Sequence, residues 1–179
     1  MIATLAIATA GAGVLLLSGS AATAGPANDF RIVPSQRIGP YKNYLEGRYK
    51  PAVAAFGRPS SSGSPRGSNL CTMRWRSLGL DMDFSTTRPG CAQSGLAGWY
   101  GATIHTRSWL VGRGIRTGDT VSSMRRLYPK AVFSDNPPNE PTWTLASVDR
   151  EELGRLATLT ATTWNGRITA IHLYYPGVY

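Results

Sequence analysis

Asn165-Gly166 stands between two runs of alternating side chains, Leu156 to Trp164 and Arg167 to Tyr175, and no other dipeptide in the chain constrains the fold as much. A two-residue type I′ turn needs positive φ at both central positions, and Asn followed by Gly supplies it at the least steric cost. The two runs are therefore expected to pair as an antiparallel hairpin. In the unbroken register Ala157, Leu159, Ala161, Ile168, Ala170 and Tyr174 share one face, where small residues would let a helix approach closely. The other face takes Thr158, Thr160, Thr162, Trp164, Arg167 and Tyr175 together with Leu156, Ile171 and Leu173. That second face is too apolar to be merely wet. Either a bulge near Thr169 turns Ile171 into the core, or the face covers a partner.

A helix to pack on such a sheet is predicted at Val121–Tyr128. Val121, Met124, Leu127 and Tyr128 recur at helical spacing, while Ser122, Ser123, Arg125 and Arg126 point away. Asp119 and Thr120 are candidate N-caps after the Thr117-Gly118 turn, the two arginines suit the last turn, and Pro129 ends the helix. Pro51–Phe56 reads as a second short helix, stopped by Gly57 and Pro59. Ile38-Gly39-Pro40 is read as opening a helical turn that carries Tyr41, Tyr44 and Leu45 and ends at Gly47.

Between the helices the period changes to two. Cys71, Met73 and Trp75 alternate with Thr72, Arg74 and Arg76, and after a tight Ser77-Leu78-Gly79 connection Leu80, Met82 and Phe84 alternate with Asp81 and Asp83. Leu96 to His105 reads as a third strand, with Tyr100, Ala102 and Ile104 on one face and Trp99, Thr103 and His105 on the other. Trp109-Leu110 is read as the lead into the central helix. Ser60–Ser68 and Asp135–Pro141 read as loops, Ala131–Phe133 and Trp143–Leu145 as short strands, and Ser147–Gly154 as a solvated acidic loop. The order of elements recurs: a short helix, then antiparallel strands. An α+β fold of two tandem units is expected, near residues 35–110 and 111–179, each with a helix on one face of a sheet.

Residues 1–24 are an uncharged, largely apolar run ending in Ala22-Thr23-Ala24, which matches the small-x-small rule for signal cleavage, so export with cleavage after Ala24 is expected. A membrane anchor is the alternative. Gly11, Gly13, Ser18, Gly19 and Ser20 dilute the run, and no basic stop-transfer follows it. Residues 25–34 are read as a linker. The two cysteines, Cys71 and Cys91, are most simply one disulfide in an exported chain. Free thiols or a metal pair are the alternatives, though two Cys with no His nearby make a poor zinc site.

The string Phe56-Gly57-Arg58-Pro59-Ser60, Cys71 to Trp75, Leu78-Gly79-Leu80, Cys91, Trp109, Gly114 to Val121, Leu127-Tyr128-Pro129, Trp143 and Gly166-Arg167-Ile168 resembles a family of secreted actinobacterial proteins of unassigned activity. More distantly, each half is similar to the helix-plus-sheet unit of the β-lactamase inhibitory protein and of the outer-membrane assembly lipoprotein BamE. The resemblance implies a tandem α+β fold with an exposed sheet face, and no target.

A nucleophile elbow, a phosphate loop, a dinucleotide fingerprint and an H-E-x-x-H pair are all absent from the sequence, so no cofactor and no enzyme class is indicated. The expected function is a monomeric binding or inhibitor-like module whose sheet face, marked by Trp99, His105, Trp164, Arg167 and Tyr175, engages an extracellular protein or a glycan. A second reading rests on charge. Nineteen Lys and Arg against ten Asp and Glu give a formal charge of +9. Arg107, Arg113, Arg116, Arg125, Arg126 and Lys130 crowd one stretch suited to envelope polyanions or anionic membrane. Nucleic acid is not expected as the partner. A hydrolase using His105, His172 or the Asp81/Asp83 pair is the third reading. A partly buried strand histidine and a polar strand face account for these residues more simply.

Overall fold

The computed structural model of the chain describes residues 30–42, 48–64, 68–87, 90–92, 96–135 and 141–176. The expected leader and cleavage site lie outside the described residues, as do Tyr44, Leu45 and Gly47. Among the described residues no helix is long and apolar enough to cross a membrane.

The fold is α+β, with a large antiparallel sheet facing a layer of two helices and a small sheet. The small sheet holds β1 (Arg31–Val33), β2 (Arg37–Ile38), β3 (Tyr41–Lys42) and β8 (Leu110–Val111) in the order β3-β2-β1-β8. Residues 31–33 are therefore strand rather than linker. Ile38 and Tyr41 flank a tight turn at Gly39 (φ +54°) instead of opening a helix. Trp109-Leu110 leads into a strand running parallel to β1, Ile32 opposite Val111, and not directly into the helix.

Helix α1 is Tyr49–Phe56 and α2 is Val121–Leu127. Thr120 is the N-cap of α2, its side chain accepting from the Ser123 amide at 3.1 Å. Met124 and Tyr128 are buried and Arg125 and Arg126 exposed, as the periodicity predicts. The α1 ring of Phe56 meets Trp75 and Trp109 edge-on, and Tyr49 meets Phe84 at 5.9 Å. The indoles of Trp75 and Trp109 have carbonyl partners, Trp75 donating to Gly57 and Trp109 to Leu78, so neither is an uncompensated polar group in the core.

The large sheet has eight strands in the order β4-β5-β6-β7-β12-β11-β10-β9. They are β4 (Ser61–Gly63), β5 (Leu70–Trp75), β6 (Leu80–Thr86), β7 (Leu96–Ile104), β9 (Val132–Ser134), β10 (Thr142–Arg150), β11 (Gly154–Trp164) and β12 (Arg167–Tyr174). Part of the Ser60–Ser68 loop is thus an edge strand, and the solvated loop expected at Ser147–Gly154 is mostly the far end of β10, paired through Arg150 with Gly154. Asp149 and Arg150 are exposed and Ser147 and Val148 half-buried, and the backbone of all four pairs in the ladder. Asn165 (φ +48°) and Gly166 (φ +73°) make the expected turn between β11 and β12.

Two of the large sheet's five register shifts, one between β11 and β12 and one between β6 and β7, decide which side chains of β12 and β7 face inward. On β12 the register passes from Thr162 opposite Ala170 to Thr163 opposite Ile168, so Thr169 is an extra residue. Ile168, Ile171 and Leu173 then all lie in the core with Leu159 and Ala161. The bulge near Thr169 is the alternative the sequence left open, and it removes the apolar surplus from the outward face. On β7 the register passes from Asp83 opposite Gly101 to Phe84 opposite Trp99, leaving Tyr100 as the extra residue. Both helices and the small sheet contribute their buried residues to one cluster with this inward row.

Candidate functional site

The side of the large sheet away from that cluster carries a lattice of polar side chains across five adjacent strands. The β5–β6 register sets Thr72 opposite Asp83 and Arg74 opposite Asp81. The Thr72 hydroxyl donates to Asp83, and the Arg74 Nε lies 3.5 Å from Asp81 Oδ2. His105, just past β7, places Nε2 3.4 Å from the same Asp81 oxygen. On the next pair Thr103 stands opposite His172, and His172 opposite Thr160. His172 Nδ1 is 3.1 Å from the Thr103 hydroxyl, and Nε2 is 2.8 Å from the Thr162 hydroxyl. Tyr174 stacks beside His172, with ring centroids 6.2 Å apart and planes 18° from parallel, and is itself exposed.

The environment tunes two of these groups. Burial pushes the His172 imidazole below its ordinary value, and nearby His105 pushes the same way; a neutral ring suits its two hydroxyl partners. Burial pushes the Asp83 carboxyl above its ordinary value; the Thr72 hydrogen bond and the Arg74 charge pull against this, and the Asp81 charge adds to it. Cys71 and Cys91 form a disulfide, with Cα atoms 5.3 Å apart. It ties the loop after β6 to β5. Among the described residues no group of three or more His, Cys, Asp and Glu could hold a metal.

The five residues expected to mark the partner face do not stay together. Trp99 is 3% exposed and belongs to the core, because the bulge at Tyr100 reverses its side relative to Thr103. Tyr175 follows β12 and meets Trp99 edge-on at 6.3 Å, so it packs toward the inward side. Trp164 is 62% exposed and falls by alternation on the same side as Thr160 and Thr162. Arg167 is its register partner and donates to the Gly118 carbonyl at 2.9 Å. Trp164 and Arg167 lie at the hairpin tip, about 26 Å along β12 from Tyr175 at roughly 3.3 Å per residue. His105 alone of the five lies in the polar lattice.

The six cations of the charge reading divide along α2. Before its N-terminus, Arg107 pairs with Asp119 at 3.1 Å, and Arg116 donates to the carbonyls of Arg107 and Ser108, both at 3.0 Å. These two brace the loop. On the helix, Arg125 lies over the Trp143 ring and Arg126 donates to Ser123. Beyond its C-terminus, Arg113 and Lys130 line a groove beside β10 and β11.

Thr72, Arg74, Thr103, Thr162 and Tyr174 were not singled out from the sequence as site residues. The first two were within reach, because a tight turn at Ser77-Leu78-Gly79 dictates the β5–β6 register. The partners of His172 depend on the Thr169 bulge, which alternation alone does not locate.

No family model matches the chain, and no curated protein matches it. Among solved structures the fold is similar to an extracellular protein containing a SCP domain from Bacillus anthracis str. Ames, at 10% identity and a TM-score of 0.44. The match covers 75% of this chain and 45% of that one, so the chain spans less than half the length of that protein. A likeness at this level carries neither an activity nor a partner across.

Proposed function

We propose that the chain is an exported, non-enzymatic binding module that grips a protein partner with the outward face of its large sheet. The observation that carries this reading is the lattice itself: Arg74–Asp81–His105 and Thr103–His172–Thr162 are held side chain to side chain on a stiff sheet. Groups already fixed in place lose little conformational freedom on binding. Tyr174 and Trp164 add exposed rings toward either end of the face, the kind of rigid anchor that contributes most contact energy. The disulfide suits an oxidising, extracytoplasmic compartment.

The order α1–β4–β5–β6–β7, then α2–β9–β10–β11–β12, supports two tandem α+β units near residues 35–110 and 111–179, joined where their last strands pair. The resemblance to the β-lactamase inhibitory protein favours a protein over a glycan as the partner. A hydrolase built on these histidines is the weaker reading. His172 is flanked by two hydroxyls and among the described residues no carboxylate orients it, whereas Asp81, which does face a histidine, is shared with Arg74.

The test is capture of partners from culture medium and envelope fractions by wild type, by Arg74→Glu with Tyr174→Ala, and by Tyr175→Ala. Tyr175 packs toward the other side and serves as the control. The outward pair of changes is expected to weaken a specific partner at least about tenfold, on the order of one hot-spot residue, while Tyr175→Ala retains it. A partner held equally by all three would remove this face from consideration.

A further inference from the structure

The groove at the C-terminal end of α2 has a volume of about 600 Å³, within the range of sites for small organic ligands. Its walls come from the loop after β8, the end of α2, β9, β10 and β11. Three of its lining residues are cations, Arg113, Lys130 and Arg155, and Leu145, Ala146 and Ala157 give it an apolar side. Among the described residues no carboxylate lines it.

Two of the cations are held in position by neutral groups. The Arg113 guanidinium lies 5.6 Å from the Tyr128 ring centroid and donates one N–H to the Leu127 carbonyl at 3.3 Å. Arg155 donates its Nε to the Ser147 hydroxyl, and among the described residues its two terminal nitrogens, the fork of the guanidinium, have no hydrogen-bond partner. Among the described residues none of the three forms an ion pair. Asp149 stands opposite Arg155 in the ladder without reaching it. The three cations outnumber the one neighbouring carboxylate, Asp149, and like charges repel one another; a doubly charged anion relieves that repulsion while a guanidinium fork matches two of its oxygens. The apolar wall beside the cations is what an inorganic ion or an extended polyanion would leave unused.

We infer that this groove binds a small amphipathic phosphate monoester, its headgroup among Arg113, Lys130 and Arg155 and its apolar tail along Leu145, Ala146 and Ala157. The site is separate from the outward sheet face and does not depend on it.

Hexyl phosphate, inorganic phosphate, hexanol and vesicles of anionic phospholipid are titrated against the full chain by calorimetry, with methyl NMR to locate the contact. Hexyl phosphate is expected to bind saturably at one site and to shift the Ala146 and Ala157 methyls. Inorganic phosphate and hexanol should each bind at least about tenfold more weakly, and Arg155→Gln should lower hexyl phosphate affinity at least about tenfold, the effect of losing one charge-assisted fork. Arg155 is exposed, so its variant is expected to keep the wild-type melting temperature; Lys130→Gln is the second variant should it not. Equal binding of inorganic phosphate, affinity unchanged in both variants, shifts that map elsewhere, binding to vesicles only, or no binding would each overturn the inference.

Discussion

Gly112→Ala tests how the loop before α2 is locked to the helix end. Gly112 has φ +54°, and a Cβ there would lie 2.3 Å from the Tyr128 hydroxyl oxygen, while Cζ of the same ring is 3.6 Å away and Leu159 Cδ2 is 3.7 Å away. Only the hydroxyl clashes. That oxygen accepts the Arg113 amide at 2.9 Å, and Tyr128 is 7% exposed, so the ring cannot swing into water. The left-handed backbone costs an alanine roughly 1–2 kcal/mol, offset by about 0.5 kcal/mol from the stiffer unfolded chain. Displacing the hydroxyl breaks its part-buried bond with the Arg113 N–H, at about 1–3 kcal/mol. Gly112→Ala should therefore destabilise by about 2–4 kcal/mol. Gly166→Ala, with φ +73° and nothing near its Cβ, should cost only about 1 kcal/mol of backbone strain. Tyr128→Phe removes the clashing atom and the same hydrogen bond, so the double variant should be less destabilised than the two singles summed by about 1–2 kcal/mol. Urea denaturation of wild type, Gly112→Ala, Tyr128→Phe and the double variant measures this directly. Additivity within about 0.5 kcal/mol, the limit for independent sites, would refute the argument.

Two further outcomes follow from the staple and the buried titratable groups. Reducing the Cys71–Cys91 bridge, which spans 20 residues, should remove about 3 kcal/mol in the chain-entropy model and lower Tm by roughly 6–12 °C for a domain of this size; a scan with and without reductant that differs by under about 2 °C would contradict it. His172 binds its proton less readily in the folded chain than the ordinary 6.5, so its contribution is full above that value and is lost as pH falls from 6.5 toward the lowered folded value. Asp83 is raised above 3.8, so stability falls as pH rises from 3.8 through its folded value. His172→Gln should flatten the loss of Tm on mild acidification, and Asp83→Asn the loss on leaving acid. Wild-type pH slopes in both variants would remove these assignments.

The elements legible in advance were those whose signal is local. Asn165-Gly166 dictates its own turn, Thr120 caps α2 with its own side chain, and Cys71, Met73 and Trp75 face inward because β5 is regular from end to end. The misread segments owe their state to distant partners. Arg31–Val33 has no strand signature of its own and is ordered by Leu110–Val111 and by β2. Asp149 and Arg150 look like loop because their side chains are solvated, yet their backbones pair with Arg155 and Gly154. The site suffered most. Asp81, Asp83, His105 and His172 are legible as chemistry-bearing residues, but unbroken alternation puts Trp99 on their face and Tyr174 opposite it. Each error is one residue of register, and one residue reverses every side chain beyond it.

The two bulges that cause those reversals also explain why the site sits where it does. They bracket the ladder joining β7 to β12, which runs only from Gly101 opposite Tyr174 to Ile104 opposite Ile171. Tyr100 is the extra residue at one end and Thr169 lies beyond the other. A bulge bends its strand and raises the local twist; one bond continues past Gly101, Tyr175 donating to the Tyr100 carbonyl at 3.0 Å, while at the other end β7 stops at Ile104. The edge of β12 thus left open at Ile168 is filled by the loop before α2: Gly118 donates to the Ile168 carbonyl at 2.7 Å, Ile168 to Asp119 at 2.9 Å, and Val121 to Gly166 at 2.9 Å. One short stretch, Gly118 to Val121, therefore completes a sheet edge while it starts a helix. Within the bracketed ladder the backbones come close enough that a Cβ on Gly101 would meet the Leu173 carbonyl at 3.0 Å. Thr103 and His172 lie opposite each other inside this ladder, at the junction of the strands that follow α1 with those that follow α2. The Thr103–His172 pair of the polar lattice thus lies in a short ladder whose register is fixed by a bulge beyond either end.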